Sequence, residues 1–242
     1  THRPAFAVAG ASIVGASSAH GMSAVVVNSD AHQANYAVHQ KNMALLIGQA
    51  TEASLSFLNR CGPLGDHPDL VAALFVLLRD SCRHVTELFM TMWQGGPILQ
   101  FTVAGMTMQK RECGRAVLGF IEVLTKCHLL DATSGPIIVH AMVAAAAGKM
   151  PSFMLEPISD SLQAMIRSIG ADTMQAWLMQ AVSPAGFPSR SMKDKTKTLF
   201  VQEFVAADTR STHKRVLKAF AGGKRKGEVG AGYKNGRKQG KK

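Results

Sequence analysis

Apolar residues recur at spacings of three and four positions along most of this chain, and this periodicity constrains the fold more than any other sequence feature. Leu70, Leu74 and Leu78, for example, fall on one side of a helix. The triplet Asp66-His67-Pro68 precedes them, and we expect Asp66 to cap free backbone amides while Pro68 occupies the first turn. Stripes of this kind predict helices over 67–90, 111–127, 154–167, 172–182 and 196–205.

No segment alternates apolar and polar residues over more than a few positions, so a sheet is not predicted. Breaks that contain Gly and Pro separate about eight or nine helices, and pairs of helices repeat about every 35–50 residues. We therefore predict an all-α fold in which antiparallel helix pairs stack as a HEAT-like α-solenoid, an α-α superhelix. A closed helical bundle would show the same stripes, and periodicity alone does not choose between the two.

Charge divides the chain into a neutral body and a basic end. Residues 1–192 contain twelve Lys or Arg and twelve Asp or Glu, so the net charge of +11 arises entirely from residues 193–242. We predict a low-complexity flexible segment over 1–30, a helical-repeat domain over 31–221, and a disordered tail over 222–242. The tail has seven glycines and almost no apolar residues, so burial cannot offset the entropy lost on ordering it.

Residues 88–109 carry no charge over 22 positions, which is long enough to span a bilayer. Gln94-Gly95-Gly96-Pro97 lies near the start of this stretch, however, and is typical of a helix end followed by a new helix. Two shorter helices are therefore predicted, and no membrane insertion is expected.

The sequence contains no pattern that points to catalysis. It lacks the motifs HExxH, GxSxG and GxxxxGK[ST], and its nine histidines form no metal-ligand set with each other or with cysteine. The four cysteines form no CxxC pair and are interpreted as reduced thiols. We predict that the protein is not an enzyme and has no catalytic, cofactor-binding or metal-binding residues.

Eight basic residues and one acidic residue in 222–242 form the most strongly charged segment. Such a tail can contact nucleic acid, act as a nuclear localisation signal, bind acidic partners, or simply keep the protein soluble. The candidate electrostatic contact residues are Lys224, Arg225, Lys226, Arg237 and Lys238.

The segment 181–189 (AVSPAGFPS) resembles a linker near the C-terminus of karyopherin-β nuclear transport receptors of the importin-13/transportin-SR type. In that family, as here, a polar, Lys-rich helix follows the linker and a basic helix comes next. Residues 101–127 are also similar to a helix pair of the family, so the resemblance covers roughly residues 67–221. The family-like turn residues are Pro184, Gly186, Phe187, Pro188 and Ser189.

This resemblance implies a C-terminal cargo-binding arch that binds protein cargo, acts with the Ran GTPase and nuclear pore proteins, and shuttles between nucleus and cytoplasm. The chain starts at Thr1 rather than Met, which fits a fragment, and the arch that carries the family's main Ran-binding surface is absent from it. The alternative function is that of a helical assembly protein associated with nucleic acid or ribonucleoprotein, which would use only the tail for phosphate contacts.

Overall fold

The computed structural model describes residues 29–93, 96–148, 150–189 and 192–222, and these ranges contain helices and no strand. The chain divides into a unit of residues 1–38 and a larger unit of residues 39–242. In the first unit only the start of a long helix is described, with Tyr36 and Val38 exposed on it. All of the contacts below lie within the second unit. The all-α prediction is confirmed.

Ten α-helices and two 3-10 turns make up the described part of the chain. The turns are Leu64–Asp66 and Ser152–Met154. The helices are α1 (Ser29–Arg60), α2 (Pro68–His84), α3 (Thr86–Trp93), α4 (Pro97–Gly105), α5 (Arg111–Lys126), α6 (Ser134–Ala147), α7 (Leu155–Ile169), α8 (Ala171–Val182), α9 (Asp194–Val205) and α10 (Arg210–Ala221).

Two local predictions for the region around α2 are wrong. Asp66 does not cap α2, because it belongs to the preceding 3-10 turn and His67 is the N-cap residue, with no side-chain cap hydrogen bond. The helix predicted over 67–90 is interrupted at Val85, whose backbone angles of φ −136° and ψ 50° are not helical. Pro68 does occupy the first turn of α2, as the sequence indicates.

Within this stretch, residues 88–93 and 97–105 belong to two short helices, as predicted from the Gly-Pro break. Gly96 has a φ of 80°, which is left-handed backbone that favours glycine, and Pro97 begins α4 directly after it. None of the helices in the described ranges is long and apolar enough to cross a membrane.

Hydrogen bonds between side chains and carbonyl oxygens fix how α2, α5 and α7 are stacked. The Cys113 thiol donates to the Pro68 carbonyl at 2.9 Å, where both helices begin, and the Cys127 thiol lies 3.9 Å from the Cys82 carbonyl, where both end. Both pairs are 45 residues apart in sequence, so α2 and α5 are parallel and in register. The Ser168 hydroxyl donates to the Thr125 carbonyl at 3.3 Å over 43 residues, which adds α7 to this first layer.

Helices α6 and α8 pack together as a second layer, and α4 contacts α6. His140 of α6 bonds through Nδ1 to the Ala181 carbonyl of α8 at 2.6 Å, 41 residues away. One to two turns earlier in the same two helices, Gly135 of α6 lies against the ring of Trp177 of α8. Helices α6 and α8 are therefore also parallel. Offsets of 41 to 45 residues match the period of two-helix HEAT-type repeats.

The core between the layers is richest in aromatic rings around α5. Phe120 is completely buried, and its ring centroid lies 5.8 Å from those of Phe75 and Phe89 and 6.1 Å from that of Trp93. The Trp93 indole N–H donates to the Leu129 carbonyl at 3.1 Å, so its one polar group is satisfied inside the core. These rings hold α2, α3 and α5 together.

Helix α10 breaks the series of parallel helices. It forms an antiparallel pair with α9, since Phe200 stacks on Phe220 with centroids 3.9 Å apart while Phe204 meets His213 at 4.9 Å. It also runs opposite to α7, because Arg210 at its start contacts Asp160 and Lys214, one turn later, contacts Glu156. Helix α10 thus packs antiparallel to both α9 and α7.

Candidate functional site

The family-like turn connects α8 with the approach to α9. The Phe187 amide donates to the Pro184 carbonyl at 3.2 Å, and Gly186 between them has a φ of 78°. A side chain at position 186 would be strained in this left-handed backbone, so the turn requires glycine there. The Phe187–Pro188 peptide bond is cis, and Ser189 ends the turn as a half-buried residue with its own polar contact.

The half-buried Phe187 ring links the turn to two helices. Its centroid lies 5.0 Å from the His140 ring of α6 and 6.4 Å from the Phe220 ring of α10. His140 is itself held by its bond to Ala181, so the ring contacts a fixed partner. The turn therefore packs against the body of the protein and joins α6 to α10.

A buried lysine that sequence reasoning missed also holds the turn. Lys197 of α9 is only 4% exposed, and its ammonium group donates to the carbonyls of Pro184 at 2.9 Å and Ser183 at 3.3 Å. The carboxylate of Asp194 lies 3.6 Å away and is almost fully exposed. Lys197 precedes Val201 by four residues and Phe204 by seven, so it lies on the apolar face of α9. Its burial could have been predicted from this position.

We expect Phe187→Ala to lower the free energy of unfolding by about 1.5 kcal/mol. The Phe187 ring is only half-buried, so removing it costs less than removing a fully buried ring. Urea unfolding followed by circular dichroism measures this value. Leu199→Ala on neighbouring α9 is the matched control, since Leu199 is 42% exposed and should cost less than about 0.5 kcal/mol. Equal effects in the two variants would show that the Phe187 ring does not anchor the turn.

A cluster of charged residues joins α7 to α10 beside this region. Arg210 pairs with Asp160, and the Lys214 ammonium lies 2.7 Å from a Glu156 oxygen. The hydrogen bond from Lys214 is the main cause that lowers the pKa of Glu156, with Coulomb attraction to Lys214 and Arg210 adding to it. All of these side chains are at least one-third exposed, so the cluster orients α10 more than it stabilises the protein.

The buried thiols are poorly suited to nucleophilic chemistry. Burial is the main cause that raises the pKa of the Cys82 thiol to about 12, with the neighbouring Cys127 adding to it. Because the thiolate is the nucleophile, Cys82 stays protonated and unreactive near neutral pH. Within the described ranges, no three His, Cys, Asp or Glu side chains lie close enough to hold a metal ion.

Of the predicted site residues, the structure thus places Pro184, Gly186, Phe187, Pro188 and Ser189 in one turn against α6, α9 and α10. The predicted electrostatic contacts lie outside the described residues; these are Lys224, Arg225, Lys226, Arg237 and Lys238.

Stacked parallel helices with a 41 to 45-residue offset define a protein of the helical-repeat class. Comparison with curated proteins shows which helical-repeat proteins this chain is similar to. The chain is similar to importin-13 of Mus musculus and of Rattus norvegicus, each 24% identical over 163 residues, which cover 64% of this chain and 17% of the relative. Importin-13 of Homo sapiens is 23% identical over 148 residues, or 58% of this chain and 15% of that protein.

These likenesses support a karyopherin-like relationship. No protein-family model matches the sequence. The matched region spans less than a fifth of the length of the importin-13 relatives.

Proposed function

We propose that this chain binds other proteins as part of a karyopherin-like nuclear transport receptor and does not catalyse a reaction. The observation that carries the proposal is the parallel offset of α2, α5 and α7, because stacked helix pairs of this kind form extended binding surfaces in helical-repeat proteins. The likeness to importin-13 supports nuclear transport as the process in which such an array is used.

In this proposal, a protein cargo binds along the exposed sides of the stacked helices. The Ran GTPase and nuclear pore proteins are further partners, and the protein moves between nucleus and cytoplasm. Release of cargo would follow from a change in how neighbouring helix pairs are packed, because each pair contacts only its neighbours. The 183–189 turn contributes by keeping α9 and α10 attached to α6 while other contacts change.

The proposal is tested by adding the fluorescently labelled chain to permeabilised cells that are supplied with Ran and GTP. We expect labelled protein to accumulate at the nuclear envelope and in nuclei. The matched control is the same chain without residues 223–242, because a basic tail alone can act as a localisation signal. Loss of accumulation on removal of the tail would contradict the proposal, since the tail and not the helical body would then direct the protein to the nucleus.

The basic tail favours a second candidate function, in which the protein assists the assembly of a ribonucleoprotein. A nucleic-acid-binding body would carry an excess of basic residues, but residues 1–192 are neutral, so the tail is the proposed phosphate contact. Retention on heparin tests whether the tail is the phosphate contact: we expect the chain without residues 223–242 to elute at much lower salt. Tight retention of that truncated chain would contradict the description of the body as a neutral scaffold.

A further inference from the structure

Two of the four cysteines lie against each other, and this pair has no role in the function proposed above. The Cys127 thiol lies 3.9 Å from the carbonyl oxygen of Cys82, and a hydrogen bond joins the two thiols. The residues are 45 positions apart in sequence, but the parallel register of α2 and α5 brings the ends of these helices together. The fold thus builds a dithiol pair that no CxxC spacing reveals.

The two thiols differ in their access to solvent. Cys82 is 0% exposed in the core, whereas Cys127 is only partly buried. Burial also raises the pKa of the Cys82 thiol, so its thiolate is scarce near neutral pH. A small oxidant in solution therefore meets Cys127 first, and Cys82 is placed to react only with a sulfur that already lies beside it.

The other two cysteines lie elsewhere in the fold and provide controls. Cys113 is also 0% exposed, but its thiol donates to the Pro68 carbonyl at the opposite end of α2 and α5. Cys61 is exposed directly after α1. The chain thus contains one buried thiol and one exposed thiol outside the pair.

We propose that Cys82 and Cys127 form a reversible oxidation site, at which hydrogen peroxide converts the two thiols into a disulfide. The Cys127 thiolate attacks one oxygen of the peroxide and the O–O bond breaks. Cys127 becomes a sulfenic acid, and the departing hydroxide takes up the thiol proton as water. The Cys82 sulfur then attacks the Cys127 sulfur, and the S–O bond breaks as the departing oxygen takes the Cys82 proton and leaves as a second water.

Position compensates for the low reactivity of Cys82 in the second step. Groups that are held in contact within one molecule react at effective concentrations far above those of free thiols. Cys82 lies in the last turn of α2 and Cys127 is the C-cap residue of α5, where the final carbonyls lack helical partners and the backbone can adjust. The disulfide joins α2 to α5, so oxidation fixes two stacked helices relative to each other.

The proposal is tested by treating the full-length chain with hydrogen peroxide, alkylating it in denaturant and digesting it for mass spectrometry. We expect the peptides that contain Cys82 and Cys127 to be joined with the loss of two hydrogen atoms, and both thiols to return after dithiothreitol is added. Exposed Cys61 reports that the oxidant was active. If Cys61 is oxidised while Cys82 and Cys127 stay unlinked, the proposal is wrong.

Single variants test the order of the two steps. Cys82→Ser should leave Cys127 as a sulfenic acid that dimedone labels, because the second thiol is gone. In Cys127→Ser, dimedone should label Cys82 at least about tenfold more slowly, since Cys82 is buried and protonated. The matched control is Cys113→Ser, which removes a buried thiol outside the pair and should leave disulfide formation unchanged. Equal labelling of Cys82 and Cys127, or loss of the disulfide in Cys113→Ser, would overturn the assignment.

The link between the helices has a separate readout. Oxidation should raise the urea concentration at the midpoint of unfolding, because a bond across 45 residues restricts the unfolded chain, and dithiothreitol should reverse the rise. An unchanged or lower midpoint would contradict the proposal that the disulfide fixes α2 to α5. All of these measurements use the purified chain without Ran or cargo, so their failure leaves the proposed transport function untouched.

Discussion

Replacing Phe120 with alanine is expected to lower the free energy of unfolding by about 4 kcal/mol, the largest single effect we anticipate in the described part of the chain. The Phe120 ring is 0% exposed and lies at the centre of the aromatic cluster, so no neighbouring side chain can swing into the space from solvent. The cavity would separate Phe75 of α2 from Phe89 of α3. Urea unfolding monitored by circular dichroism gives the value.

The matched control is Phe153→Ala, which removes the same ring from a 41% exposed position at the surface. We expect a cost below about 1 kcal/mol there, because most of the ring's surface is already in contact with water. Comparable losses in the two variants would mean that α2, α3 and α5 are not packed around Phe120.

Gly135→Val is expected to cost about 3 kcal/mol, through overpacking instead of a cavity. A Cβ atom at position 135 would overlap the six-membered ring of Trp177, which is almost completely buried. Neither helix can yield easily, since α6 and α8 are also tied by the bond from His140 to Ala181. The midpoint of thermal or urea unfolding should fall accordingly.

A second glycine provides the control for this experiment. Gly119 lies in the middle of α5, and a Cβ atom there would meet only the Arg79 side chain at 3.8 Å, an ordinary contact. Gly119→Ala should therefore stabilise the protein by about 0.5–1 kcal/mol, because alanine favours helix. If Gly135→Val were as well tolerated as Gly119→Ala, the close approach of α6 and α8 would be wrong.

The helical class of this protein could be predicted because periodicity depends only on which positions are apolar. The stripe over 111–127 corresponds to α5, and the stripe over 172–182 corresponds to α8 almost residue for residue. The break at Val85 could not be predicted in this way. Val85 and Phe89 continue the stripe of α2, and the turn is visible only in the backbone angles at Val85.

The candidate site could also be predicted only in part from the sequence. Pro184, Gly186 and Pro188 indicate a turn from their backbone preferences alone, and the resemblance to karyopherins picks out the same residues. Lys197 was overlooked because Lys193, the N-cap residue of α9, and Lys195 within the helix are both exposed, and charge alone does not distinguish the three. Which of them is buried depends on carbonyl groups that come from another part of the chain, at Ser183 and Pro184.

The reversed direction of α10 has a consequence for engineering longer arrays. Repeats can be added to a stack only where the next helix finds a partner running the same way with an apolar side to cover. Helix α10 offers neither, because it opposes α7 and its solvent side carries Ser211, Arg215 and Lys218. A helix pair fused after α10 would therefore not continue the array and would fold as a separate unit.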